Sequence, residues 1–152
     1  MKKRLALILT LLVTLTATTA SAAPGDTTRV SLDSSGTQGN NVSRDPSISA
    51  DGRYVAFESD ASNLVSGDTN GTRDIFVRDR QANTTERVSL DSSGTQGNNV
   101  SYDPSISADG RYVAFISDAT DLVSGDTNGN WDIFVRDRQA NTTERVSLDS
   151  SG

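Results

Sequence analysis

The chain has 152 residues, the size of one domain, with 14 basic and 20 acidic side chains, no histidine and no cysteine, for a formal charge of −6. Without cysteine there is no disulfide and no lipid-anchored N-terminal cysteine; without histidine as well, the commonest general base and the thiol nucleophile are missing. The acidity disfavours nucleic acid and anionic membrane, whose phosphates it repels, and suits cations, basic proteins or neutral glycans, though it is also an ordinary route to solubility.

The N-terminus opens on the basic Met1-Lys2-Lys3-Arg4, continues through a mostly apolar run over 5–15, and reaches the small-residue triplet Ala20-Ser21-Ala22. That order predicts a secretory signal peptide over 1–22. The run is too short and too rich in threonine for a membrane span, so the expected location is periplasmic or secreted, with no membrane insertion after cleavage. The remainder carries eleven arginines, no lysine and twenty carboxylates, a formal −9.

From residue 30 the chain repeats. Residues 30–87 and 88–145 align without a gap at a period of 58 and differ at six positions: Arg44/Tyr102, Glu58/Ile116, Ser62/Thr120, Asn63/Asp121, Thr72/Asn130 and Arg73/Trp131. A third copy begins at Val146. Repetition at such a period marks a tandem architecture.

Within a unit the first predicted strand is 47–49, just after Pro46, which lacks a donor and favours a strand's first residue or an edge. Asp51-Gly52 and Asp109-Gly110 read as two-residue hairpin turns. The second strand, 53–59, contains Tyr-Val-Ala-Phe, apolar on both faces and so buried on both sides. A long loop, 60–73, leads to the third strand at 74–79. A short turn, in which Asn83 tolerates the left-handed region, leads to an alternating fourth strand at 85–90. A second long loop, 91–103, reaches the next unit. This is a four-stranded up-and-down sheet, packed on both sides at its middle and wetter at its outer edge. Both long loops then share one end and both tight turns the other. Loops beyond about twelve residues are more often functional or disordered than incidental, and all six differing positions fall in them or in adjoining strand ends.

The segment Gly67-Asp68-Thr69-Asn70-Gly71-Thr72-Arg73-Asp74 and its copy at 125–132 place oxygen side chains at Asp68, Asn70 and Asp74, and at Asp126, Asn128 and Asp132. Hard cations want such oxygens around a sharp bend, which makes Ca²⁺ the cation to expect, with carbonyls and water completing a shell of six to eight. The spacing is not that of an EF-hand, and the same residues also suit an Asx turn. Tyr102 and Trp131 replace arginines at the loop end, where aromatics stack on sugars or anchor protein partners, or else cover the neighbouring unit. With Asp121 they are the predicted partner-binding residues. Glu58 is costly to bury unpaired, so it is expected near the rim or beside an arginine. No catalytic set emerges: there is no Gly-x-Ser-x-Gly, and the carboxylate pairs recur with the repeat, as structural residues do.

The stretch Asp-Pro-Ser-Ile-Ser-Ala-Asp-Gly-Arg-Tyr-Val-Ala-Phe at 45–57 and 103–115, followed by Asp-Ile-Phe-Val-Arg-Asp, resembles the TolB-like β-propeller repeats. Ala50 and Ala108 stand where that family usually has proline, Asn83 and Asn141 stand where glycine is common, and the period is longer because both long loops are enlarged. The resemblance implies an all-β segment of two blades about a central channel, with the first strand innermost: an outer strand at 28–33 within 23–45, blades at 46–90 and 91–148, and a further repeat starting at 149–152. A propeller closes with about four to eight blades, so further blades or self-association are expected. The implied function is a non-enzymatic binding module for a protein, acting through the long-loop face. The alternatives are a glycan-binding, lectin-like ring of several chains and an accessory domain of a larger hydrolase.

Overall fold

Each repeat forms one antiparallel four-stranded meander. In the computed structural model, which describes residues 25–149, the first sheet runs β1 (Ser43–Ile48), β2 (Tyr54–Ser59), β3 (Asp74–Asp79) and β4 (Thr84–Arg87). The second runs β5 (Ser101–Ile106), β6 (Tyr112–Ser117), β7 (Asp132–Asp137) and β8 (Thr142–Arg145). The described residues contain no helix. The all-β class and the two blade-like sheets stand as the repeat predicted. The signal peptide expected over 1–22 and residues 150–152 lie outside the described residues.

Four local expectations are corrected. β1 begins at Ser43, before Pro46, because a bulge lets the proline sit inside the strand. Ser43 and Arg44 pair with Ser59 and Glu58, the register then slips, and Ser47 pairs with Ala56. Asp45 takes up the slip at φ 51°, and Pro46 occupies the one position from which no ladder donor is asked. The Asp51-Gly52 turn is longer than two residues. Ser49 pairs with Tyr54, its hydroxyl accepting the Tyr54 amide at 2.9 Å, and only Gly52 is left-handed, at φ 71°. β4 stops at Arg87, since Leu90 turns back to bridge Gln96. The outer strand expected at 28–33 is reduced to a single Leu32–Gln38 bridge. Asn83 and Asn141 do adopt the left-handed region, at φ 58° and 59°.

Those two non-strand segments act as straps along the outer edges. The Thr85 hydroxyl donates to the Leu32 carbonyl, the Thr85 amide to Ser34 Oγ at 3.0 Å, and Arg78 to the Asp33 carbonyl at 2.9 Å. One period later Thr143 donates to the Leu90 carbonyl and to Ser92 Oγ, and Arg136 to the Asp91 carbonyl at 2.9 Å. Each blade's outer strand is thus held by the chain segment that precedes the blade.

Alternation along β2 and β3 gives every blade two apolar faces. On the leading face of the first blade, Phe57 and Phe76 stack at 5.9 Å beneath Ala61 and Leu64, which fold back from the β2–β3 loop. The trailing face carries Ala56, Ile75, Val77 and Val88, and packs against Ile106, Val113, Phe115 and Phe134 of the second blade. That shared core joins the blades.

Candidate functional site

The junction between blades at the long-loop end gathers the side chains with the most chemistry. Glu58 lies on the trailing face of β2, opposite Ile75, and is almost fully buried. Its carboxylate accepts Arg73 Nη1 at 3.0 Å and the Asp103 amide of the second blade at 3.1 Å. Burial pushes the Glu58 carboxyl up from its usual range, against the pull of those two donors. Arg73 also donates from Nε and Nη2 to both oxygens of Asp60, at 2.9 and 3.1 Å, and this pairing holds its guanidinium more firmly protonated. The sequence expectation that Glu58 would pair with an arginine is met.

Arg73 then crosses to the second blade, its guanidinium 4.9 Å from the centre of the Tyr102 ring. Tyr102 stacks on Trp131 at 5.0 Å with the rings 7° from parallel. The result is a ladder, Arg73–Tyr102–Trp131, whose last rung is 57% exposed. Cation–π and ring stacking each contribute roughly 0.5–1.5 kcal/mol. The structure therefore brings together two of the three predicted partner-binding residues. Asp121 serves the loop instead, its Oδ1 accepting the Asn98 amide at 2.9 Å.

The two metal-type loops are assembled around a cation that the chain supplies itself. Arg87 Nη1 lies 3.2 Å from Asp68 and 3.1 Å from Asp74, and Asn70 turns its amide nitrogen, not its oxygen, onto Asp74 at 3.0 Å. In the second blade Arg145 Nη1 lies 2.9 Å from Asp126 and 3.2 Å from Asp132, with Asn128 donating to Asp132 at 2.9 Å. The Oδ1 atoms of Asn70 and Asn128 accept the amides two residues on, as in an Asx turn. The predicted side chains converge in both blades, with an arginine guanidinium lying between the two aspartates of each loop. Burial raises the Asp68 carboxyl, with Asp74 adding to the effect.

One grouping was not visible in the sequence. Carboxylate oxygens of Asp45, Glu58 and Asp103 lie within 4.8 Å of one another. The two aspartates stand at equivalent bulges with φ 51°, and Arg44 and Arg73 offset the charge at 3.9 and 3.0 Å from Glu58. The only sequence signal was the Asp-Pro pair repeated at the head of each inner strand, and nothing in a 58-residue spacing says that the two bulges meet.

The remaining feature is the second blade's trailing flank. Ile75 is wholly buried, while its copy Ile133 is 46% exposed; Tyr112, Val146 and Leu148 are likewise exposed. At the other end of the chain, Ile48 is 58% exposed where its copy Ile106 is only 9% exposed.

Paired antiparallel meanders, inner strand bulged and outer strand strapped, packing face to face in tandem, define a β-propeller-type segment of two blades. No protein-family model and no curated protein matches the chain. Among solved structures it is similar to that of "putative TolB from Agrobacterium tumefaciens", at 20% identity over 70% of this chain and 33% of that one, with a TM-score of 0.45. The chain thus spans about a third of that protein's length.

Proposed function

We propose that this chain is a non-enzymatic binding module, acting outside the cytoplasm, that engages a protein partner through the long-loop end of the second blade. The observation that carries this reading is the Tyr102–Trp131 stack: two parallel rings held on a buried ion-pair frame, with the outer ring presented to solvent. Preorganised aromatics with a polar surround are the usual anchors of protein interfaces. Export rests on the basic, apolar and small-residue order of residues 1–22. A sugar ring stacked on Trp131 is the second reading, favoured by the same exposed flat face.

Immobilised chain, the Tyr102→Ala/Trp131→Ala variant and a Gln139→Ala control at the tight-turn end, each exposed to an exported-protein fraction and to a glycan array, separate these readings. Protein capture lost only in the aromatic variant supports the proposal. Glycan capture alone supports the second reading, and equal capture by all three proteins overturns both.

A further inference from the structure

The internal repeat supplies a template for what the second blade's trailing flank accepts. At the observed junction, trailing-face groups of the first blade meet leading-face groups of the second. Ile106 enters the core formed with Ala56 and Val77. The Tyr54 ring lies against Gly110. Arg138 sits 4.5 Å over that ring and pairs with Glu86 at 2.5 Å. Backbone amides reinforce the join, among them Ala50 donating to the Ala108 carbonyl at 3.0 Å, Ser101 to the Arg73 carbonyl at 2.9 Å and Ile106 to Ser47 Oγ at 3.1 Å.

Each of these groups has an uncovered copy at one of the two outer flanks. The trailing flank of the second blade offers Tyr112, Ala114, Val135, Glu144 and Ser105; the leading flank of the first offers Ile48, Gly52 and Arg80. Tyr112 and Ile48 are exposed there, and Arg80 already donates to the Gly52 carbonyl at 2.7 Å, as Arg138 does to Gly110.

From this we propose that the trailing flank of the second blade binds the leading flank of the first blade of a second copy of this chain, head to tail. The proposal rests on the binding-module reading and names its partner. The differing positions support a second copy. At the observed junction the cation is on the trailing side and the ring on the leading blade, Arg73 on Tyr102. At the new junction the pair is reversed: Trp131 stands in place of Arg73, and Arg44 in place of Tyr102. The second copy's Arg44 extends the ladder to Arg73–Tyr102–Trp131–Arg44, keeping the cation–π contact with its polarity swapped. Ile116, in place of Glu58, removes a buried charge from a face that no longer has Arg73 to neutralise it. Only the Glu58–Asp103 hydrogen bond has no counterpart. Such an interface is heterologous and closes into a ring when its rotation permits.

Light scattering across a concentration series, with the emission of Trp131, the sole tryptophan, tests this. The chain is expected to assemble into a closed oligomer whose formation shifts Trp131 emission. Ile48→Asp and Ile133→Asp, at exposed positions on opposite flanks, each weaken assembly by about tenfold or more, with circular dichroism unchanged. Mixing the two variants restores a dimer, because each keeps one good flank. Arg44→Glu weakens assembly and abolishes the emission shift. A monomer at all concentrations overturns the proposal. If Trp131 emission then responds to another protein, the binding-module reading stands alone. Failure of the mixed variants to associate overturns the head-to-tail geometry.

Discussion

Arg111 clamps Asp137 from two nitrogens, Nε 3.0 Å from Oδ1 and Nη2 2.6 Å from Oδ2. The same carboxylate accepts the amides of Gln139 and Ala140 at 2.9 and 3.0 Å. The first blade repeats the clamp with Arg53 and Asp79. The tight-turn end of each blade is thus fixed by one ion pair that also orders the β3–β4 or β7–β8 turn.

The clamp has a pH signature. The Arg111 hydrogen bond holds Asp137 far below the usual carboxylate range, and Arg53 lowers Asp79 in the same way. A carboxyl depressed in the fold adds stability at any pH above its unfolded value, near 3.9, and loses that contribution as pH falls toward the folded value. Glu58 and Asp68, raised by burial, act in the opposite sense and recover some stability as the solution is acidified. The urea midpoint should therefore fall below about pH 4, and the Asp79→Asn/Asp137→Asn variant should be less stable at pH 7 but show a flatter acid limb. An unchanged limb would remove the clamps from the account.

Because Arg145 lies between Asp126 and Asp132, calcium competes with a resident guanidinium. Millimolar Ca²⁺ should leave the melting temperature of the native chain unchanged. Arg145→Met vacates the site and is expected to expose a Ca²⁺-dependent gain of about 1.4 kcal/mol at ten times Kd, weaker with Mg²⁺. A Ca²⁺ shift in the native chain would show that the ion displaces the arginine.

Gly52 and Gly110 share one backbone conformation, at φ 71° and 75°, but not one environment. A Cβ on Gly110 would meet Tyr54 Cδ2 at 2.1 Å, whereas on Gly52 the nearest atom is Arg80 Nη1 at 3.7 Å. Alanine at either position costs roughly 1–2 kcal/mol for the left-handed backbone. Gly110→Ala should cost about 1–3 kcal/mol more for the overpacked ring, read from denaturant midpoints in dilute solution. In an assembled head-to-tail oligomer Gly52 meets the second copy's Tyr112, so the gap between the two variants should narrow as concentration rises.

The swapped residues should behave as a coupled set. Arg73→Trp alone strips Glu58 of its nearer cation and leaves only Arg44, at 3.9 Å, and Tyr102→Arg alone sets two guanidinium groups side by side; each is expected to cost about 1–3 kcal/mol. Combined with Glu58→Ile, they copy the composition inferred for the junction between chains, and the triple variant should be more stable than the sum of its parts predicts. A double-mutant cycle reads the coupling. Strict additivity would detach the ladder from the junction's stability.

What could be read from the sequence depended on whether a residue's role is local. Strands β2, β3, β6 and β7 appeared at their positions because their apolar runs and flanking turn residues lie within a few residues of one another. The twofold tandem order followed from the 58-residue period. Misreadings arose where a side chain replaced a backbone partner: Ser49 takes the Tyr54 amide and lengthens the turn, and the bulge at Asp45 lets Pro46 lie within a strand. Asp68, Asn70 and Asp74 do come together, but Arg87, thirteen residues beyond Asp74 and on another strand, could not be foreseen as the cation beside them. The meeting of Asp45, Glu58 and Asp103 depended on blade-on-blade packing, which no local pattern encodes.

The straps along β4 and β8 close the outer edges of both sheets. An outer strand is where a sheet would recruit a stranger, adding layer upon layer of cross-β hydrogen bonding. Here the Thr85 and Thr143 amides are engaged by serine hydroxyls, and Arg78 and Arg136 hold the strap carbonyls from beneath. Growth by edge pairing is blocked on the rim, while the apolar flanks stay open. What the straps leave open is stacking of blade upon blade at the flanks, a direction in which the curvature of the array, rather than a supply of monomers, sets the end point.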